Sequence, residues 1–559
     1  MKKLAGIILF YLIANTINAQ NPGEWYKSNI ENGLYGIELP KAQEFLKSKR
    51  VKKAPIIAII GGGADIEHEV LKNSIWNNPK EIADGVDNDG NGYVDDINGW
   101  NFIGGKDGSI MEFTMNEGDR EWLRLKDKYA DIVFDGKQYF KYVDGVKTII
   151  SKVDNIEEYK YFFNLLLRRE TAMGPSYSGH VFSYVMKDYV NIWDEELKQM
   201  FPGKERNEIS IEDFTTQIVK KKYPQKDSLR DISLTFVNMY ASMVSRMNND
   251  SPNAKPFTWE NVYNQYTNRQ IDFSYKNYMD LYKMYGRDTR KQIVGDNHMD
   301  ITDKKYGNNI LLTPGLLGGT MVSGMINAIA PDSKLMHLVV LGQQGEPYLK
   351  DIALSIRYAV DNGADIIMLP QQNKLYPPDQ KMWVSDAINY AQNKGILVVV
   401  PVWEKSENLS INEYFPNPAM DKSRHLKNLM TVANSDENGN PSKISNYGAK
   451  ELDTYAPGIN IYSTSPGDLY KTGTSSIFGA AVTVGIAGLI KSYFPKLSGE
   501  VIKELIVANP TIRDDVEIEK SIVVNGENTA TDLFLFEQLC RSKGIVNANN
   551  AVRAAALIK

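Results

Sequence analysis

Apolar and polar positions along this chain fall into two textures. Residues 55–60 form a short apolar run that enters Gly61-Gly62-Gly63, the pattern of a buried strand meeting a tight turn. Residues 335–341 repeat that pattern. Residues 349–361 are amphipathic at helical spacing, 365–369 read as a strand, 383–394 as a helix and 395–402 as an intensely apolar strand. Strands apolar on both faces and alternating with helices predict a parallel sheet covered on either side, an α/β fold. Residues 476–493 and 498–508 read as two more helices, closed by Asn509-Pro510. Residues 511–540 read as irregular, and 544–557 as a final small helix.

Between residues 106 and 299 the texture changes. The segment is rich in Tyr, Lys, Glu and Asp, carries helical patches such as 159–169, and lacks the apolar strands of its flanks. It reads as a mostly helical insertion long enough to form its own subdomain. The expected organisation is therefore a discontinuous α/β domain, 55–105 with 300–510, interrupted by 106–299 and followed by a C-terminal segment, 511–559, that ends in a helix. Because tyrosines are common at interfaces, the insertion is also the leading partner-binding candidate.

The first residues have the layout of an export signal. Lys2 and Lys3 precede an apolar stretch, residues 4–13, and Ile17-Asn18-Ala19 ends the segment on a small residue. Residues 1–19 are expected to be a signal peptide and 20–54 an N-terminal extension, which places the mature protein in a periplasm or outside the cell. No later run is long and apolar enough to predict a membrane span. The 559 residues carry 64 Lys plus Arg against 69 Asp plus Glu, a formal net charge of -5, which gives no reason to expect nucleic-acid binding. The single cysteine, Cys540, excludes an intramolecular disulfide, a cysteine-rich zinc site and an iron–sulfur cluster. There are five histidines, His68, His180, His298, His337 and His425.

Residues 87–96 alternate oxygen-bearing side chains with turn residues. Asp87, Asp89 and Asn91 stand at the first, third and fifth places, Gly92 supplies the sharp turn, Tyr93 offers a carbonyl and Asp95 or Asp96 a carboxylate. Calcium takes six to eight hard oxygens, so this set predicts a structural calcium site. Asn98 stands where a bidentate Glu is usual, and an ion-free Asp/Asn/Gly turn is the competing reading.

Several motifs then line up in order. Gly318-Gly319-Thr320-Met321-Val322-Ser323-Gly324 is followed by Ser445-Asn446-Tyr447-Gly448, Ala456-Pro457-Gly458 and Gly473-Thr474-Ser475. The chain thereby resembles the subtilases, the subtilisin-like serine peptidases, over about half of its length, and is most similar to the exported branch with a long insertion. The resemblance implies a subtilisin-like parallel sheet flanked by helices, and it supports a structural metal at the acidic loop. It also implies a Ser nucleophile, a His base, an Asp that orients the His, and an Asn that donates to the oxyanion.

Most of those positions are substituted. Gly61 stands at the family Asp position, Gly318 at the His position and Glu404 at the oxyanion Asn position, where a carboxylate would repel an oxyanion unless protonated. Pro370-Gln371-Gln372 replaces a segment that pairs with substrate backbone, and proline lacks the N–H that such pairing uses. Ser475 is the one retained catalytic candidate, although the helix after it fits the family best with about two extra residues. Asp65 has no His to orient. His68 lies on a structural motif and His337 within a strand. The expected function is a secreted peptidase homologue that is catalytically inactive and binds or scaffolds a protein or peptide partner. The alternative is a weak or unconventional serine endopeptidase using Ser475.

Overall fold

The computed structural model describes residues 22–558 apart from 168–169, 215–233, 236, 240–241, 243–256, 287, 375–376, 419–425, 514–515 and 525–527. The expected signal peptide and His425 lie outside the described residues. Two compact units form, Met1–Thr114 with Thr289–Lys559, and Met115–Asp288.

In the first unit one sheet is built from β1 (Ile56–Gly61), β2 (Gly99–Asn101), β3 (Lys334–Val339), β4 (Ile366–Met368), β5 (Leu397–Pro401), β6 (Leu429–Ser435), β7 (Thr454–Pro457), β8 (Thr511–Ile512) and β9 (Gly544–Ile545). Their order is β8-β9-β7-β6-β5-β4-β1-β3-β2, and every neighbouring pair is parallel except β8 with β9. Strand β1, paired on both edges, runs in register with β3, Ile56 opposite Lys334 and Gly61 opposite Val339. Ile57 and Ile59 enter the core on one face of the sheet, Ala58 and Ile60 the core on the other. That two-sided burial is why the strand reads as an unbroken apolar run rather than an alternation.

Helices cover both faces. Residues of α1 (Leu39–Leu46), α2 (Leu316–Ile329), α5 (Ser476–Tyr493), α6 (Gly499–Ala508) and α7 (Ala548–Ala555) join the core on the Ile57 face. Residues of α3 (Leu349–Asp361) and α4 (Pro378–Asn393) join the other. The fold is thus α/β, a parallel-dominated sheet between helical layers. Helix α5 is apolar all round because it is buried all round. Among the described residues it is the one helix long and apolar enough to cross a membrane, and here it packs inside the unit.

The segment expected to be irregular, 511–540, instead contains β8 and an antiparallel hairpin, Glu517–Val524 with Asn528–Leu535. Lys520 hid the hairpin's alternation. It shares the inward face with Ile518, and its buried ammonium donates to Ser442 O (2.9 Å), Ser445 O (2.6 Å) and Ser445 Oγ (3.2 Å).

The second unit holds helices Glu117–Tyr129, Ile156–Leu167, Gly174–Met200, Trp259–Asn264 and Gln270–Tyr285. It also holds a small antiparallel sheet, Val133–Phe134, Tyr139–Val143 and Val146–Ile150, which the sequence reading did not anticipate. The signal was present in Asp144-Gly145. Both residues have positive φ, 49° and 77°, and they link Val143 to its partner Val146, the two-residue turn that Asp-Gly favours.

Candidate active site and metal loop

The positions singled out in the sequence sit on element ends of the first unit. Gly61 ends β1, and Gly318 lies in the first turn of α2. The backbones there pack closely. A Cβ on Gly62 would lie 2.6 Å from Gly315 O, and one on Gly319 would lie 1.8 Å from Gly63 O. Gly63 has φ +87°, a region that favours glycine. Gly62, Gly63 and Gly319 are therefore required by the fold. Gly61 and Gly318 are not, since a Cβ on either meets nothing within 4 Å. Crowding therefore does not exclude a side chain at either position.

Ser475 caps α5. Its Oγ accepts the N–H of Ile477 at 3.2 Å, and its own N–H donates to Gly458 O at 2.9 Å. Its neighbour Ser476 is fully buried and more heavily engaged. The Ser476 Oγ donates to Val402 O (2.8 Å) and accepts from Gln371 Nε2 (2.9 Å), which also donates to Val402 O (3.0 Å). The Ser476 N–H donates to Glu404 Oε1 at 2.9 Å. Glu404 extends from the loop after β5, so its carboxylate sits on the first turn of α5, where a negative charge is favoured. Burial raises its pKa above the ordinary carboxylate value, while the Ser476 N–H and the Asn434 side chain pull it back down. Asn434 is itself fully buried, and neither of its amide atoms completes a well-formed hydrogen bond.

The segment around Pro370 follows β4. There the Gln372 N–H donates to Pro401 O at 3.0 Å, so its backbone is tied to β5. Asp65 is also structural: its Oδ2 accepts the Gly467 N–H at 2.8 Å and its N–H donates to Thr320 Oγ1 at 2.9 Å.

No described histidine is a hydrogen-bond partner of Ser475 or Ser476. His68 is buried with both ring nitrogens used. Nδ1 accepts the Val70 N–H at 3.2 Å and Nε2 lies 3.2 Å from Leu469 O. His337 lies in β3 beside Ser323 Oγ (3.3 Å), and full burial pushes its pKa down to about 4. His180 contacts Ser274 Oγ, and His298 packs edge-on against Tyr348.

The acidic loop brings part of its expected ligand set together. Asp87 and Asp89 stay together, and the third carboxylate beside them is Glu81, all three offering oxygens within 4.8 Å of one another. Glu81 is 6% exposed. Its Oε1 accepts the Asp89 N–H at 2.9 Å, and its buried Oε2 has no hydrogen-bond partner. Asp95 turns away and accepts the N–H groups of Asp84 (3.1 Å) and Gly85 (3.0 Å). Asn91 Oδ1 accepts the Tyr93 N–H at 2.7 Å. An orphaned, buried carboxylate oxygen among three acids is the donor set a hard divalent cation fits. Glu81 precedes the motif, so the motif's spacing could not reveal it.

Subtilisin BL of Lederbergia lenta is 28% identical to this chain over 218 residues, covering 37% of this chain and 76% of its own length. Thermitase of Thermoactinomyces vulgaris is 29% identical over 215 residues, 36% of this chain and 72% of its own. M-protease of Shouchella clausii is 28% identical over 218 residues, and the chain spans about half of that relative, 53%. Among solved structures, the epidermin leader peptide processing serine protease of Staphylococcus aureus aligns with a TM-score of 0.35 and 19% identity over 44% of this chain and 65% of its own. The model of the subtilase family matches residues 52–526, and by that match this chain belongs to the subtilase family.

Proposed function

We propose that this chain is an exported subtilase homologue without peptidase activity, acting as a binding or scaffold protein for a protein or peptide partner. The observation that carries the reading is the Glu404 carboxylate on the Ser476 N–H. An acyl-transfer site needs free donors for the developing oxyanion, and here the side chain at the family's oxyanion Asn position is a carboxyl that accepts the main-chain N–H beside Ser475 instead of donating. The neighbouring positions agree. Gly61 and Gly318 bear no side chain, and the partners of both serine hydroxyls are main-chain groups or Gln371 rather than a base. An offset of about two residues before the helix would also put Ile477, which has no hydroxyl, at the nucleophile's place.

The test is fluorophosphonate labelling of the purified protein beside its Ser475→Ala and Ser476→Ala variants. The expected result is no labelling above a heat-unfolded control. Labelling abolished in Ser475→Ala would instead establish the alternative, a weak serine endopeptidase. One observation favours that alternative: Ser475 is half-exposed and its Oγ accepts from Ile477, which leaves its own proton uncommitted. Glu81, Asp87 and Asp89 are assigned to a structural calcium ion, with Glu81 supplying the carboxylate expected from Asp95. The export-type N-terminus supports a location in a periplasm or outside the cell.

A further inference from the structure

The unit Met115–Asp288 encloses a half-open cavity of about 680 Å³ between the helices Ile156–Leu167 and Gly174–Met200 and the small sheet. That volume is in the range of small-molecule sites, roughly 300–1,000 Å³. None of the side chains lining it is charged.

The rings in its wall are already matched to one another. Tyr159 stacks on Phe163 at an interplanar angle of 18°, Phe134 lies 4.7 Å from Tyr139, and Tyr129 meets Tyr159 edge-on. Part of the ring surface is thus taken up within the wall itself, and the cavity also offers a guest the aliphatic side chains of Leu166, Val181 and Val185. A planar aromatic guest prefers open faces on which to stack. A saturated chain needs only dispersion contacts and asks for no hydrogen bond. A second, polar cleft of about 690 Å³ adjoins the first, shares Tyr129 and Ile132 with it, and carries charged side chains such as Lys128, Lys141, Asp131 and Glu158.

Gly179 adds an independent observation. It lies inside the long helix Gly174–Met200, where glycine weakens the helix relative to alanine. No close backbone approach requires it, since a Cβ there meets nothing within 4 Å, and the space it leaves belongs to the cavity.

We propose that this unit binds an amphiphile, the aliphatic tail in the uncharged cavity and the polar head in the adjoining charged cleft. The experiment is a fluorescence titration of the full-length protein with cis-parinaric acid, followed by displacement with dodecyl maltoside or naphthalene. The expected result is saturable binding at one site per chain, displaced by dodecyl maltoside and not by naphthalene. Gly179→Phe, which fills the cavity without a clash at Cβ, is expected to weaken binding at least tenfold while melting no lower than the parent. Ser178→Leu, on the same wall, serves if that variant does not fold. Absence of saturable binding would overturn the proposal, as would parent-like binding by a folded cavity-filling variant. Displacement by naphthalene in preference to dodecyl maltoside would overturn it too.

Discussion

The Oε1 oxygen of Glu404 accepts the main-chain N–H of Ser476 at 2.9 Å, so a side chain from the loop after β5 caps the first turn of α5. A helix start needs acceptors for its free N–H groups, and an anion suits its positive end. Burial opposes the charge and raises the carboxyl pKa. Removing the acceptor and removing only the charge should therefore have different consequences. Glu404→Ala is expected to lose about 1 kcal/mol in urea unfolding, the usual cost of a lost cap. Glu404→Gln keeps an oxygen acceptor and should stay within about 0.5 kcal/mol of the parent. An alanine variant as stable as the parent would show that the contact contributes nothing.

His337 should give the protein an acid-sensitive arm. Its pKa in the folded chain is about 4 because it is wholly buried, against an ordinary value of 6.5. Between those values the unfolded chain binds more protons than the folded one, so stability is complete above pH 6.5 and falls as pH drops towards 4. The loss amounts to about 3 kcal/mol over that window. His337→Leu removes the titrating group, and Ser323 Oγ keeps its bond to Gly319 O (2.8 Å). Chemical denaturation at pH 7.5 and pH 4.5 should show a smaller acid loss in the variant. An unchanged difference would assign the acid sensitivity to other groups.

The acidic loop offers a crossed test. With calcium present, Glu81→Gln should bind at least tenfold more weakly, about 1.4 kcal/mol, and melt lower. With calcium removed by chelation, the same variant should melt higher, because one of three mutually repelling carboxylates is gone. Asp95→Asn should leave calcium affinity nearly unchanged while loosening the turn at Asp84 and Gly85. Calorimetric titration that finds Asp95 more important than Glu81 would return the site to the ligand set read from the motif.

Arg290 stands just after the chain re-enters the first unit at Thr289. Its guanidinium bonds Asp296 (2.8 and 2.9 Å) and Asp351 (2.6 and 2.8 Å). Asp296 also receives Lys350 Nζ at 2.7 Å, and Asp351 the Tyr306 hydroxyl at 2.6 Å. All four charged side chains are buried. Arg290→Met leaves two buried carboxylates with one cation and is expected to cost about 3–5 kcal/mol. Asp361, exposed on the same helix as Asp351, is the control, and Asp361→Asn should change stability by less than about 0.5 kcal/mol. A loss below about 1 kcal/mol in Arg290→Met would mean that water relieves the cluster.

What the sequence determined by itself was the architecture of the first unit. Strands such as 55–60 and 395–402 bury both faces, so their apolar runs are visible without any partner, and their alternation with amphipathic helices already specifies a parallel sheet. Gly61, Gly318 and Glu404 could be singled out in the sequence because each stands at a fixed place in or beside a short local motif. What only the tertiary structure decided depends on contacts between distant residues. The hairpin Glu517–Val524/Asn528–Leu535 was concealed because Lys520 is polar by type yet buried by three acceptors from residues 442–445. Glu81 lies outside the loop motif and joins it only by folding back. The use of Glu404 as a cap on α5 depends on β5 and α5 meeting in space, 72 residues apart in the chain. Composition and periodicity report how each residue is solvated, whereas pairing across such separations is fixed only when the backbone closes around it.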